Sequence, residues 1–184
     1  MNRHILIDRM TAFIGALAAG KQKFFTESIE SPSFRDYFAD FSFEIPKFNQ
    51  ESIYTLEETI YDETLDPAFW VYKWMGPKYP TIVYHHGNNE NPFQFGKVNK
   101  QSFQLIMGSN RSMVQANIIV VRAPFHGGKL KEYTEKIVDL KNFVALIAAS
   151  VVLIEKLIQR LRQQSGKSIL VSGISLGGWV TNLH

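Results

Sequence analysis

The sequence predicts an α/β fold, in which a mostly parallel β-sheet is flanked by helices. Three short apolar runs, near residues 80–86, 116–124 and 168–171, are typical of buried strands, and a loop of small and polar residues follows each run. A long amphipathic segment between the second and third runs predicts a helix. Alternation of strand and helix implies right-handed crossovers and hence parallel strands.

Composition supports one folded domain and excludes several classes of protein. The chain has 184 residues, of which 45% are hydrophobic and 13% aromatic, so it has ample material for a core. Its net charge of +3 arises from 20 basic and 17 acidic residues with no basic run, which argues against nucleic-acid binding. It has no cysteine, so disulfides, thiolate zinc sites and a cysteine nucleophile are excluded. No cofactor is expected.

The N-terminal region, residues 1–39, is predicted to be a helical segment preceding an α/β domain at residues 40–184. Residues 10–19 resemble a short signal peptide, but Asp8 interrupts the approach to them, which favours an amphipathic helix. Its expected apolar stripe consists of Ile5, Met10, Phe13, Leu17 and Phe24. Without a run of ~18 apolar residues, no membrane span is expected. The predicted location is cytoplasmic, with secretion as the alternative.

Residues 31–113 are predicted to combine turns, strands and one helix. Prolines interrupt the aromatic stretch 31–50, which favours turns and short extended pieces. Residues 52–61 and 69–75 predict two strands joined by a turn at 62–67. Residues 91–113 predict a loop and a helix, with these apolar anchors: Phe93, Phe95, Phe103, Leu105 and Ile106.

The most regular pattern in the chain predicts a helix of about 24 residues. Its apolar side chains recur every three or four positions: Ile137, Leu140, Val144, Ile147, Val151, Ile154, Ile158 and Leu161. Residues 165–167 end this helix, and Gly166 is expected to adopt the left-handed conformation that commonly closes a helix.

A G-x-S-x-G pattern follows the last apolar run, with Ser175 between Gly173 and Gly177. A serine at a sharp turn from strand to helix has a strained backbone, and side chains two residues before and after it would collide. Glycine at both positions removes the collision. The pattern therefore predicts a nucleophile elbow, against the alternative of an ordinary turn packed by glycines.

The order of these parts resembles the N-terminal half of an α/β-hydrolase over roughly residues 40–184. The resemblance rests on His86-Gly87 after one strand, residues 124–127 after the next, and the elbow. It implies that Ser175 is the nucleophile, that the N–H of Leu176 donates to the oxyanion, and that the N–H of Asn88 is the second donor. Elbow and loop support is assigned to Gly173, Gly177, His86 and Gly87.

A serine nucleophile also needs a base and an acid, which the family places after the serine. Only nine residues follow Ser175; they contain no acid, and His184 would lie roughly 13 Å along a helix from the turn. His86 and His126 are interpreted as residues that shape their own loops. A metal site of His85, His86 and His126 is disfavoured because adjacent strand residues point to opposite faces.

These features predict a serine hydrolase acting on a small-molecule carboxylic ester or related acyl bond. The alternatives are a peptidase resembling prolyl oligopeptidase, which shares the Gly177-Gly178 pair, and a non-catalytic binding protein of the same fold. Because the chain ends within a predicted helix and lacks the acid and base, it is expected to be part of a longer protein and inactive alone. An oligomer or a second chain segment is expected to cover the bare edge of the last strand.

Overall fold

The computed structural model describes residues 25, 27–96, 101–108 and 110–184. The predicted N-terminal stripe and the segment resembling a signal peptide lie outside these residues. In chain order the described elements are α1 (Phe34–Asp40), β1 (Ser52–Thr55), β2 (Glu58–Ile60), β3 (Glu63–Leu65), β4 (Ala68–Lys73), β5 (Thr81–His85), α2 (Ser102–Met107), β6 (Asn117–Arg122), α3 (Leu130–Lys136), α4 (Leu140–Gln164), β7 (Ile169–Gly173) and α5 (Leu176–Leu183).

Five of these strands form one sheet in the order β1-β4-β6-β5-β7. Strand β5 pairs in parallel with β6 on one side and with β7 on the other. Strand β4 runs antiparallel to both β6 and β1, so four of the five strands share one direction and β4 opposes them. The predicted α/β fold with a mostly parallel sheet is therefore confirmed. Among the described strands, β7 pairs with β5 alone, which leaves its outer edge uncovered.

Helices pack on both faces of the sheet. In β6, Ile119 and Val121 join the larger core with α4, whereas Ile118 and Val120 pack with Phe103 of α2 on the other face. The connections from β5 to β6 and from β6 to β7 therefore cross opposite faces, as right-handed crossovers in opposite directions require. Such a reversal opens a crevice at the carboxyl ends of the strands, here beside β5 and β7.

Helix α4 agrees with its prediction in length and in its apolar stripe. It spans 25 residues, and its sheet-facing side chains are buried. By length and mean hydropathy (1.7) it could cross a membrane, but 72% of its most apolar stretch is buried inside the protein, as in a core helix. The prediction for Gly166 is wrong: Ser165 ends the helix in an extended conformation, and Gly166 does not have a positive φ.

Several short elements differ from their predictions. Residues 62–67 are not a simple turn, because Glu63–Leu65 forms β3 and pairs with β2 in a separate hairpin. Tyr61 and Asp62 have φ of 49° and 64°, the positive values that a tight two-residue hairpin turn needs. Helix α1 interrupts the predicted irregular stretch 31–50, and Ser33 begins it with a capping box.

Helix α2 is only six residues long, and two of its predicted anchors are wrong. Phe103 is fully buried, but Leu105 is 60% exposed and Ile106 is 44% exposed. One turn and a half of helix can direct only a narrow face toward the sheet. Ser102 and Phe103 are buried and Met107 packs beside Phe103, whereas Leu105 and Ile106 face solvent.

Candidate active site

Ser175 occupies the turn between β7 and α5 in a strained backbone conformation. Its φ is +53° and its ψ is −114°, in a region that costs a non-glycine residue roughly 1–3 kcal/mol. Although Ser175 is the residue that begins α5, its side chain makes no capping hydrogen bond within the described chain. The residue is exposed at the carboxyl end of the strand. The hydroxyl is therefore available to a ligand and is not consumed by the helix.

Two glycines allow the chain to pass so closely through this turn. A Cβ atom on Gly173 would lie 2.4 Å from the carbonyl carbon and oxygen of Gly177. A Cβ atom on Gly177 would lie 2.3 Å from the carbonyl oxygen of His85 in the neighbouring strand. Real Cβ atoms do not approach backbone atoms so closely, so any larger residue would displace β5 or the turn.

The structure brings Ser175, Leu176 and Asn88 to one cavity of about 180 Å³. Phe143 and Trp179 complete its wall, with their rings edge to face and 6.4 Å between centroids. Strand register explains the meeting: His85 at the end of β5 pairs with Gly173 at the end of β7. The loop after β5 and the turn after β7 therefore emerge side by side.

Leu176 and Asn88 reach this cavity from two different parts of the chain. Leu176 is the first residue of α5, so its N–H is one that an α-helix leaves without an intrahelical acceptor. The helix also contributes the positive end of its dipole here. Asn88 is held from the other side, since its side-chain oxygen accepts a hydrogen bond from the hydroxyl of Tyr133 at 2.5 Å.

His86 is locked between two backbone groups. Its Nε2 accepts the N–H of Ala123 at 3.0 Å, so Nδ1 carries the proton and donates it to the carbonyl of Gly87 at 2.5 Å. Burial, with smaller contributions from the neighbouring His85 and His126, holds its pKa well below the usual 6.5. A neutral imidazole with both nitrogens occupied joins the loops after β5 and β6.

His85 and His126 are also buried and neutral. Each donates Nδ1–H to a nearby carbonyl, that of His86 at 3.0 Å and that of Pro124 at 2.9 Å. Burial lowers the pKa of each to about 4. The Nε2 atom of each is buried without a hydrogen-bond partner among the described residues. Neither side chain lines the cavity of Ser175.

The remaining groups considered from sequence do not meet Ser175. His184 follows α5 and is exposed, with the eight-residue helix, roughly 12 Å long, between it and the turn. Within the described ranges, no group of three or more histidine, cysteine or acidic residues is arranged to hold a metal ion. No histidine or carboxylate is among the residues described as lining the cavity.

Gly87 and the loop that follows it are anchored by Glu90. One carboxylate oxygen accepts the N–H of Gly87 at 3.2 Å and the hydroxyl of Ser102 at 2.5 Å, and the other accepts the N–H of Ser102 at 3.1 Å. The loop bearing Asn88 is thereby fastened to the start of α2. Glu90 therefore has a structural role in this loop.

Sequence reasoning missed Tyr133, which touches both Asn88 and His126. Its hydroxyl binds Asn88, and its ring centroid lies 4.3 Å from that of His126. It lies on α3, a seven-residue helix that no periodic pattern predicted. A glycine pair followed by a short helical segment was the available signal, and it was too weak to place the side chain.

The fold is similar to two solved structures. One is a candidate carboxylesterase from Lactobacillus plantarum WCFS1, with 10% sequence identity, a TM-score of 0.41, and 72% of this chain aligned to 47% of that chain. The other is ESTFA in an Fe-lacking apo form, with 11% identity, a TM-score of 0.30, and 76% of this chain aligned to 40% of that chain. The chain thus spans less than half the length of either protein.

No family model and no curated protein sequence matches the chain. Function is therefore inferred from the geometry of the site.

Proposed function

We propose that the protein is a serine hydrolase that cleaves a carboxylic ester or a related acyl bond, with Ser175 as nucleophile. One observation carries the proposal: Ser175, at φ +53° between a strand and a helix, shares a cavity with Leu176 and Asn88. A hydroxyl presented at such a turn beside two backbone donors is the arrangement of a nucleophile elbow with an oxyanion hole. Gly173 and Gly177 allow the turn, and His86 and Gly87 shape the opposing loop.

In the proposed reaction, the Oγ atom of Ser175 attacks the carbonyl carbon of the substrate. Negative charge then develops on the carbonyl oxygen, which accepts hydrogen bonds from the N–H groups of Leu176 and Asn88. Each such donor is worth about 2.7–4 kcal/mol because it acts on charge that forms only in the transition state. The alcohol leaves, an acyl-enzyme remains on Ser175, and water hydrolyses it.

A base and an acid complete a site of this kind. Neither role falls to His85, His86 or His126. Both nitrogens of His86 are bonded to backbone groups, and the other two rings are enclosed away from the cavity. None of these three rings is therefore placed to take the proton of Ser175.

A second candidate is a non-catalytic binding protein of the same fold. It is favoured by the lack of a histidine or carboxylate among the described residues that line the Ser175 cavity. The peptidase alternative has less support, because it rested on the Gly177-Gly178 pair. A Cβ atom on Gly178 would meet nothing closer than 3.9 Å, so glycine is not required there.

A fluorophosphonate probe on the full-length protein tests the proposal. We expect covalent labelling of the wild type, with the label found on Ser175 by peptide mass spectrometry. Ser175→Ala should abolish labelling, whereas Ser172→Ala, three residues earlier in β7, should retain it. Labelling that persists in Ser175→Ala contradicts the proposal. A folded wild type, verified by circular dichroism, that takes no label supports the binding protein instead.

A further inference from the structure

A second and larger cavity opens on the other side of the contact between Tyr133 and Asn88. Its volume is about 580 Å³, and Tyr133 forms part of its wall while Asn88 forms part of the wall of the Ser175 cavity. The hydrogen bond between these two side chains therefore lies between the two cavities. Asn88 lines one cavity and its neighbour Asn89 lines the other, so the two cavities lie on either side of the same loop.

The wall of the larger cavity is rich in groups that bind hydroxyls. Within the described residues, the side-chain amides of Gln94 and Gln101 face it and form no hydrogen bonds with the protein. Glu132 and Asn89 add further acceptors, and Phe125 supplies an aromatic ring. A concave site with one ring and several convergent polar groups is typical of a site for a polar small molecule.

The charges of this wall disfavour an ionic ligand. Among the described residues of this wall, an anion would meet two carboxylates, those of Glu90 and Glu132, and one ammonium, that of Lys129. A cation has no strong site, because Glu90 already accepts three hydrogen bonds and Glu132 accepts the backbone N–H of Lys129 at 3.1 Å. A neutral ligand with several hydroxyl groups can use the remaining amides without burying a charge.

The Ser175 cavity is smaller and mainly apolar. Phe143, Leu176 and Trp179 provide its apolar walls. Its volume of about 180 Å³ is less than a third of the 580 Å³ of the larger cavity. Such a space suits a short acyl chain.

We propose that the substrate is an ester between a short acyl group and a neutral polyhydroxylated alcohol, such as a sugar. The acyl group occupies the Ser175 cavity and the alcohol occupies the polar cavity. This inference rests on the proposed hydrolase function. In the reaction, the bond from the carbonyl carbon to the sugar oxygen breaks as the bond to Ser175 Oγ forms, and the serine proton is transferred to the released sugar hydroxyl. Water then releases the carboxylic acid and restores Ser175.

The test compares two substrates that share an acetyl group, 6-O-acetylglucose and p-nitrophenyl acetate, with the full-length protein. The variant Gln94→Leu/Gln101→Leu removes the two unengaged amides. We expect the ratio of kcat/KM, sugar ester over nitrophenyl ester, to fall at least tenfold, because several hydrogen bonds to the sugar are lost. The matched control is Gln159→Leu, an exposed glutamine on α4 away from both cavities, where the ratio should stay within twofold.

An unchanged ratio in the double variant, or an equal fall in Gln159→Leu, overturns the inference while leaving Ser175 as a nucleophile. A preference for p-nitrophenyl octanoate over the acetate overturns the short acyl group. Saturation-transfer NMR can measure binding of methyl glucoside to the Ser175→Ala variant, and this measurement does not depend on catalysis. We expect Ser175→Ala to bind methyl glucoside, and we expect this binding to be lost when Gln94→Leu and Gln101→Leu are combined with it. If Ser175→Ala itself does not bind methyl glucoside, the sugar site is contradicted.

Discussion

The hydroxyl of Tyr133 donates a hydrogen bond to the side-chain oxygen of Asn88 across 45 positions of sequence, at 2.5 Å. Tyr133 is only 2% exposed, and burial raises its pKa to about 12, so the hydroxyl remains a donor at any physiological pH. Asn88 is thereby held beside the turn that bears Ser175. Tyr133 is a positioning residue for the proposed oxyanion donor.

Replacing Tyr133 with phenylalanine should therefore reduce catalysis more than substrate binding. We expect kcat to fall about tenfold, as the loss of one hydrogen bond worth about 1–1.5 kcal/mol implies, with KM changed by less than about twofold. Steady-state kinetics on a nitrophenyl ester measures both. Tyr61→Phe is the matched control, since its hydroxyl binds Asp40 at 2.6 Å in another part of the protein. Equal effects of the two variants on kcat would exclude a positioning role.

Gly177 and Gly178 are neighbours in α5, but we expect their substitution by alanine to have different effects on stability. Gly177→Ala should destabilise the protein by roughly 2–4 kcal/mol, because its Cβ atom would lie 2.3 Å from the carbonyl oxygen of His85. Gly178→Ala should be neutral or stabilise by up to about 1 kcal/mol, since alanine favours a helix and has room there. Urea unfolding monitored by circular dichroism compares them. Similar midpoints for both variants would contradict the close approach of α5 to β5.

The three buried histidines predict a loss of stability in mild acid. Their pKa values lie below the usual 6.5, about 4 for His85 and His126 and well below 6.5 for His86, because burial disfavours the charged ring. The unfolded state therefore binds more protons between pH 6.5 and about 4. The free energy of unfolding should be highest above pH 6.5, where the rings are neutral in both states. It should decrease on acidification, by up to about 1.4 kcal/mol per pH unit for each histidine.

Urea unfolding at pH 7, 6 and 5 measures this slope. His126→Gln, which removes one buried imidazole, should make it shallower. A free energy of unfolding that does not change between pH 7 and 5 would be inconsistent with neutral buried rings.

An ion pair beneath the polar cavity should matter more than one on the surface. The guanidinium of Arg122 is buried and donates to a carboxylate oxygen of Asp66 at 2.9 Å, while the other oxygen accepts the N–H of Phe125 at 2.8 Å. Asp66→Asn leaves this cation uncompensated and should cost about 1–3 kcal/mol, less than a fully buried pair because the Asp66 side chain is 38% exposed. Thermal and urea unfolding provide the measurement.

Glu51→Gln offers the comparison, since it breaks the pair with Arg111 in which both side chains are more than 40% exposed. We expect that variant to change stability by less than about 1 kcal/mol. If the two substitutions have the same effect, Arg122 is better hydrated than its burial indicates.

The elements predicted most accurately are those with a strong local pattern. Strands β5, β6 and β7 and helix α4 appear where apolar runs and helical periodicity placed them. The hairpin of β2 and β3 and the helices α1 and α3 were missed. These pieces are three to seven residues long, too short for periodicity to be measured, and they depend on positive φ values and capping contacts.

The sequence by itself determined the turn at Ser175, because the glycines that make room for it lie two residues away on either side. It also indicated that the loops after β5 and β6 would end at the same edge of a parallel sheet. Only the tertiary structure decided which side chains meet there: Asn88 with Tyr133, and His86 with the backbone of Ala123. Contacts between residues far apart in the chain follow from strand register and helix packing, and no local pattern encodes them.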